Sequence, residues 1–592
     1  MLLSLPFDSL APRAAWALRA CFVLLALLPG TFGARAQTPN WQSAIPITET
    51  ATGNNSAYVS ATAADGSGNV YVAGNFRGTV SFGAFTLTSV GGENAYVVKW
   101  SPVSGSFVWA EACTGYINGV NSLAVSGSSV YVGGTFYLNA TFGPTTLTTL
   151  TPNTNLTDVF VAKLTDAGST ARFVWAQQAG GPDNDYLNGL AVTGASIYAA
   201  GSFQSATATF GPTTLAKASP TNSSNDAYVA KLTDAGSSGS FAWAQRVGGL
   251  YNDYARAIAV SGSNVYLTGA FNSPALTFGS LSLSNAGSDY NVYVTKFSDA
   301  GTAPGFIWAQ SLSDGAGEFV NALAVSGSNV YVAGGFFRGT MRIGGITLTN
   351  NGLVSSSEVY LAKLTDAGST GAIAWAERVG GQDSDEATAL AVSGSRVYLV
   401  GNFTSSILNI GPLTLANAGN NGYPDIYAAR LTDLGASPRF DWAQRAGGIF
   451  NDQAQPATLT GTTLYVGGFV YTQANFGAIP FTYPAATFVP FLAGLDDSGV
   501  LAATAATPLA GLRVAPNPAH AATTVHLPAV PGATQATLRL LDALGRTVRT
   551  RQLPLSSSGL VAELPLRGLA PGLYHLQVQA GSQRASRTLA VE

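Results

Sequence analysis

Val70-Tyr71-Val72-Ala73-Gly74-Asn75-Phe76 is the first of seven copies of one phrase. Its tyrosine returns as Tyr131, Tyr198, Tyr266, Tyr331, Tyr398 and Tyr465, at steps of 60, 67, 68, 65, 67 and 67 residues. A tryptophan phrase keeps the same beat, at Trp41, Trp109, Trp175, Trp243, Trp308, Trp375 and Trp442. A third phrase, VAKLTDAG-like, starts near Ala95, Val159, Ala227, Val292, Val359, Ile426 and Phe488. Self-similarity at a fixed long period marks an array of supersecondary units. Each period divides into four short runs of β-branched and aromatic residues bounded by Gly, Ser, Asn and Asp, the pattern of strands joined by hairpins. Ala255–Ser261 and Val265–Phe271 are a first and a second strand; Ala227–Leu232 and the run around Trp243 are a third and a fourth. Outside the N-terminal leader no segment keeps a helical apolar period. Four strands per unit, seven units and small residues on the innermost strand predict an all-β fold, a seven-bladed β-propeller. A β-sandwich leaves the 67-residue period unexplained, and a parallel β-helix would use a shorter one.

Trp41 sits on a fourth-type strand with no third strand before it, and the last copy ends at Phe488–Leu495 with no tryptophan strand after it. The N-terminal strand is therefore expected to complete blade seven and tie the ends of the ring; Val500–Ala503 is the alternative closing strand. The phrases VYVAGNF, DAYVAKLTDAG and FAWAQRVGG resemble the SBBP-type β-propeller repeats of secreted bacterial proteins, over about Trp41 to Gly499. That resemblance implies the fold and no particular activity.

Composition changes near Thr507. Residues 508–592 hold eight arginines and three acids, whereas 37–507 hold 17 basic and 27 acidic residues. The tail reads as strands with tight turns: Leu538–Leu541, a turn at Asp542–Gly545, Arg546–Leu553, Leu573–Val578 and Ser586–Val591. A small Ig-like β-sandwich fits. Ala515-Pro516-Asn517-Pro518, Leu541 to Gly545-Arg546, and Leu569 to Gly572-Leu573-Tyr574, with Val591 next to the end, are similar to the type A sorting domain of type IX (Por) secretion. Pro516, Asn517, Pro518, Gly545, Arg546, Gly572 and Tyr574 carry the match, and the family's usual lysine of the final strand is replaced by nearby Arg587. The resemblance implies a partner, the type IX secretion machinery, and a destination, the outer cell surface or the medium. Residues 1–36 read as a signal peptide: Arg13 and Arg19 precede the short apolar run Cys21–Leu28, and Ala34-Arg35-Ala36 is a cleavage site. The expected organisation is thus leader 1–36, propeller 37–507 and sorting domain 508–592, with no membrane span after cleavage.

Hydrophobic residues make up 46% and charged residues 10% of the 592, with a net charge of −3. That balance supports a packed core. With no basic run, nucleic acid is not an expected partner. Cys113 would be a buried structural thiol. The propeller has no histidine, which removes Ser-His-Asp, Cys-His and His-zinc chemistry from it, and His520, His526 and His575 of the tail lack metal-ligand spacing. No cofactor is implied, and a monomer is expected. The candidate site residues are acidic, in loops after the tryptophan strand: Asp183, Asp185, Asp253, Asp383, Asp385 and Asp452, in Gly-Gly-Asx settings. Asx turns whose side chains bond local amides explain the repetition; weak calcium sites and paired carboxylates for glycoside chemistry are the functional alternatives. Glu318 and Glu386 depart most from the repeat among the acids. Lys99, Lys163, Lys231, Lys296 and Lys363, with Arg430 in the sixth copy, hold one repeat position, either a cationic ring or strand-end cations paired with carboxylates. The fourth-to-first and second-to-third connections share one face of the ring, which therefore has the material for recognition. The expected function is a secreted or surface-bound binding or adhesion module for a glycan or protein. An extracellular carbohydrate-active enzyme using Asp or Glu and a structural surface component are the alternatives.

Overall fold

The computed structural model describes residues 39–592 apart from 50–55, 152–154, 314–316, 338, 354, 420–421, 484–487, 499–510, 531–532, 543–546 and 581–582. The leader, the alternative closing strand Val500–Ala503, and Gly545 and Arg546 lie outside the described residues. The chain divides into two compact units, one of them Thr38–Val500 and the other taking in Leu501–Glu592.

Blade 3 shows the plan of the first unit. Asp185–Thr193, Ser196–Phe203, Asp226–Asp234 and Gly239–Val247 form one antiparallel sheet in that order. Blades 4, 5 and 6 repeat it from Asp253, Glu318 and Asp385. In blades 1 and 2 a single strand, Ser106–Ser126, serves as the fourth strand of one and the first strand of the next. The first strands pack side by side around the whole circle, with Gln453–Thr460 of blade 7 meeting Ala61–Ala64 of blade 1. Each first strand from blade 3 to blade 6 carries a bulge, as between Leu187 and Gly189 or Ala387 and Ala389. A bulge adds local twist and re-aims a side chain, and Asn321 and Thr388, two of these extra residues, line the central channel.

The second strands explain why the repeat was readable. Val70–Phe76 is buried at every position, since both faces of a blade are covered by neighbouring blades, so the run is continuously apolar. Its tyrosine packs on the tryptophan of the fourth strand, with ring centroids 5.9 Å apart for Tyr71–Trp109 and 6.1 Å for Tyr331–Trp375.

Closure follows the first of the two alternatives. Asn40–Pro46 pairs antiparallel with Phe488–Asp496, placing Trp41 opposite Leu495. The other edge of that third strand is occupied by Thr463–Tyr471. Pairing across more than 440 residues converts an array held by side-chain packing into a hydrogen-bonded ring.

The four-strand description of the repeat is incomplete. The connection from the second to the third strand contains a two-stranded hairpin, Thr207–Phe210 with Thr213–Ala216 in blade 3. Its residues alternate exposed and buried, and Gly211 turns the corner at φ +55°, a conformation glycine adopts freely. Phe210 lands 4.6 Å from the ring of Tyr228. The hairpin also bridges backward. Val379 of blade 5 pairs with Ile410 in the hairpin of blade 6, and Ala446 of blade 6 with Phe476 in that of blade 7.

The second unit is a β-sandwich of a three-stranded sheet, Arg513–Ala515, Ala522–Leu527 and Leu560–Pro565, and a four-stranded sheet, Thr547–Pro554, Gln535–Leu541, Gly572–Ala580 and Gln583–Val591. Val525, Leu538, Leu540, Leu576 and Leu589 fill its core.

Candidate functional site

Two sets of acids sit on opposite faces of the ring, one at the end of the third strands and the other at the start of the first strands. On the face of the tight turns, each Thr-Asp-Ala-Gly aspartate reaches the preceding blade. Asp166 accepts from Tyr71 Oη at 2.6 Å, Lys99 Nζ at 2.6 Å and Trp109 Nε1 at 3.1 Å, and from its own Gly168 amide at 2.8 Å. Asp234, Asp299, Asp366 and Asp433 repeat the arrangement with Lys163, Lys231, Lys296 and Lys363. Arg430 does so with Asp497. The lysine ring is thus a set of interblade clasps, each cation spent on a carboxylate one repeat away. Burial alone would raise Asp166, but Lys99, Tyr71, Gly168 and Trp109 together hold its carboxyl below the usual range. The seventh junction differs. Gly494 stands where the lysine would be and Pro102 where the aspartate would be. Trp41 also departs from the tryptophan series in which the sequence placed it: Ser43 stands opposite Gly494 as Trp175 stands opposite Lys163, and Trp41, opposite Leu495, takes the position of Phe173, with its indole donating to Arg445 O at 3.3 Å.

On the loop face, Asp185, Asp253, Asp385 and Asp452 open the first strands and are buried. Asp185 Oδ2 accepts from the Gly181 amide at 2.6 Å and Ser205 Oγ at 2.9 Å, and Oδ1 from the Gln204 and Ser205 amides. Asp385 and Asp253 are held likewise by Gly381 with Ser405 and by Gly249 with Ser273. Asp183 and Asp383 lie nearer solvent, and their amides donate to the same serines. These carboxylates organise the Gly-Gly loops through N–H and O–H donors, and no three of the described His, Cys, Asp or Glu gather as metal ligands. Each buried aspartate faces a second acid from the preceding blade. Asp158 Oδ1 and Asp185 Oδ2 both lie within 3.0 Å of where a Cβ on Gly180 would stand, so glycine is what lets the two approach. Burial pushes Asp185 up to about 7, with Asp158 adding to it against the Ser205 and Gly181 donors. Asp253, Asp385 and Asp452 rise to about 7 as well, burial again being the main cause. Arg246, Arg378 and Arg445 salt-bridge the outer acids Asp226, Glu358 and Asp425. Glu318 proves regular: it pairs with Phe336 as Asp185 pairs with Phe203, so it is the blade 5 version of the repeat acid.

The residue after that acid was not read from the sequence, and it forms the inner rim of the loop face. It is Tyr186, Tyr254 and Phe319 in blades 3, 4 and 5, then Glu386 and Gln453 in blades 6 and 7. Aligning the repeats on the acid would have revealed it. Further out, Tyr254 meets Tyr290 and Phe319 meets Phe337, with centroids 6.0 and 5.5 Å apart. The five large aromatic residues exposed on the described propeller, Tyr58, Tyr251, Phe337, Tyr423 and Phe488, all lie on this face. The opposite face exposes Val103 and Leu434. Where the rim turns polar, two adjoining clefts of about 320 and about 280 Å³ open at the channel mouth, sharing Glu386, Asn402 and Gln453. Asn402 donates to Glu386 Oε1 at 3.0 Å and to Ala454 O at 3.1 Å, and accepts from the Ala454 amide at 2.7 Å. It locks blade 6 to blade 7 and orients the glutamate. Glu386 is thus the acid that breaks the repeat.

Cys113 is buried, and burial pushes its thiol up to about 12, which leaves no thiolate for nucleophilic work. In the tail, Asn517 donates to Thr588 O and accepts from the Ala590 amide, both at 2.8 Å, pinning the last strand. Pro516 O accepts from Thr523 Oγ1, and the Tyr574 hydroxyl donates to Ala570 O at 2.8 Å. Gly572 opens the strand that carries Tyr574.

Residues 513–592 match the secretion system C-terminal sorting domain, which marks proteins exported by type IX secretion to the cell surface or extracellular space. No curated protein sequence matches the chain significantly. Among solved structures, the chain is similar to Trypanosoma rangeli sialidase in complex with the inhibitor DANA, at 10% identity and TM-score 0.33, covering 83% of this chain and 86% of that one. It is also similar to a glycoside hydrolase family 32 protein from Bifidobacterium adolescentis, at 9% identity and TM-score 0.23, covering 77% and 80%. Likeness at this level assigns no activity.

Proposed function

We propose that the propeller is a non-catalytic binding or adhesion module, carried to the cell surface or medium by its sorting tail, and that its loop face holds an extracellular glycan or protein. The observation that carries this reading is the concentration of exposed aromatic side chains on that one face. Aromatic residues supply large contact area at low entropic cost, and exposed apolar patches on soluble proteins mark interaction sites. The clasps beneath make the scaffold rigid, so little ordering has to accompany binding. A second reading, an extracellular carbohydrate-active enzyme, is favoured by Asp385 and Glu386, which line one cleft with Asp385 raised to about 7; a protonated acid beside a second carboxylate is the pairing that glycoside hydrolysis uses. A glycan-array and polysaccharide-degradation screen of the full chain separates the two. Binding without sugar release is expected. Release of reducing ends that disappears in both Asp385→Asn and Glu386→Gln would instead establish the enzyme.

A further inference from the structure

We infer that the cleft between blades 6 and 7, at the mouth of the channel, receives the neutral, hydroxyl-bearing end of a saccharide, and that Glu386 is the acceptor that orients it. This rests on the binding reading of the loop face and names its site and ligand class.

Departure from the repeat is the first argument. Most of what lines the ring recurs blade after blade and is explained by blade packing. The rim position is aromatic in blades 3, 4 and 5 and becomes Glu386 and Gln453 in two successive blades. Neither side chain completes a clasp or an acid pair. The chemistry of the lining is the second. Glu386, Asn321, Thr388, Asn402, Gln453 and Ser60 offer one carboxylate, amides and hydroxyls, and neither cleft is lined by lysine, arginine or histidine. Amides both donate and accept, and a carboxylate accepts through two oxygens, which suits a ligand rich in adjacent hydroxyls. With no cationic side chain in the lining of either cleft, a carboxylated or sulfated sugar would bring a second negative charge beside Glu386 with no cation there to offset either. The class is therefore neutral. Size and setting agree. The two clefts, about 320 and about 280 Å³, lie near the lower end of the roughly 300–1,000 Å³ seen for small-ligand pockets. The floor is fixed, because Asn402 is bonded at both ends to the adjoining blade, and the aromatic rim next to it can pack against the apolar faces of following sugar units.

The test uses the full chain on an array of neutral, sialylated and uronate-containing glycans, followed by calorimetric titration of the best neutral hit in EDTA. Neutral glycans are expected to bind. Glu386→Gln, nearly isosteric, should weaken that binding by at least about ten-fold, the order of a hydrogen bond to a charged group, and Gln453→Ala by about three- to ten-fold, the order of a neutral one, both with unchanged melting midpoints. Val103→Ser on the opposite face should bind as the wild type does. Preference for anionic glycans, or binding lost in EDTA, overturns the inference. If Glu386→Gln binds normally while Tyr251→Ala does not, the ligand sits elsewhere on the loop face: this inference falls and the binding reading stands. If no glycan binds at all, the inference falls and the module is left with protein ligands.

Discussion

At Asp366, three donors from blade 4 meet one carboxylate of blade 5: Tyr266 Oη at 2.7 Å, Lys296 Nζ at 2.6 Å and Trp308 Nε1 at 3.1 Å. Lys296 and Asp366 are each 5% exposed in their side chains. Removing one partner of a buried pair leaves the other charge uncompensated, which costs about 3–5 kcal/mol, whereas replacing both with apolar groups is far milder. Asp366→Ala should therefore lower the urea midpoint sharply, and Lys296→Met with Asp366→Leu should recover part of it, the Tyr266 hydroxyl and Trp308 indole still lacking their acceptor; equal loss in single and double variants would contradict the clasp. The two sets of acids also act with opposite sign on pH dependence. Asp166, Asp234, Asp299, Asp366 and Asp433 are held below their ordinary value, so their contribution is present above about pH 4 and lost as pH falls through their depressed pKa values. Asp185, Asp253, Asp385 and Asp452, raised to about 7, bind protons in the folded state that the unfolded chain has released. Their contribution is complete below about pH 4 and is lost as pH rises through about 7. The melting midpoint of the wild type is expected to fall between pH 5 and pH 8. Asp185→Asn keeps a neutral group beside Asp158 and should flatten part of that slope; an identical slope in this variant would show that proton uptake by Asp185 does not contribute to it.

Among elements, Asn40–Pro46 is the odd member of its class. Every other blade passes a cation and an indole to the next blade's aspartate; here Gly494, Ser43 and Pro102 stand in place of cation, indole and aspartate, and Trp41 fills the phenylalanine position of the strand, opposite Leu495, with its indole on one backbone carbonyl. It still buries its ring against Phe476 at 5.3 Å. Trp41→Ala is expected to cost about 3–5 kcal/mol, as for other buried tryptophans, although it lies in the first described strand. Hydrogen exchange should find Asn40–Pro46 the least protected fourth strand of the ring, because only packing and its single ladder hold it; protection equal to that of Ala171–Ala179 would refute this. The difference between strands that the sequence revealed and those it hid is physical. Val70–Phe76 and its copies are apolar throughout because they are covered on both sides, so the period was plain. The four-residue strands of the inserted hairpins are half exposed and turn on an ordinary-looking glycine, such as Gly211, and they read as loop. The lysines were readable as a set, but their partners lie 67 to 71 residues away in the next repeat, and no local pattern specifies that. The rim of Tyr186, Tyr254, Phe319, Glu386 and Gln453 was hidden for a related reason: a site made by one residue from each blade leaves no contiguous motif.

For the whole molecule, export and folding are separable. The ring is closed by its own N-terminal strand pairing with Phe488–Asp496, so both edges of that third strand are filled without any strand from the last 92 residues. The tail has its own core, its own two sheets, and a basic balance opposite to that of the propeller. Deleting residues 508–592 should therefore leave the propeller's melting midpoint and its near-UV spectrum unchanged while abolishing delivery to the surface, with the protein found in the periplasm. The sorting match ends at the last residue, 592, and Asn517 is bonded to both Thr588 and Ala590 near that end. Loss of these two bonds loosens the outer edge of the terminal strand, which keeps its ladder to Gly572–Ala580, and among the described residues the tail's strands pair only with one another. Asn517→Ala should accordingly reproduce part of the deletion: reduced surface display of a normally folded propeller, read by surface proteolysis against total protein. Full display of the truncated chain would mean that export information lies outside residues 508–592. A truncated chain that aggregates would mean that the two units do not fold independently, and the separation argued from their strand pairings would fail with it.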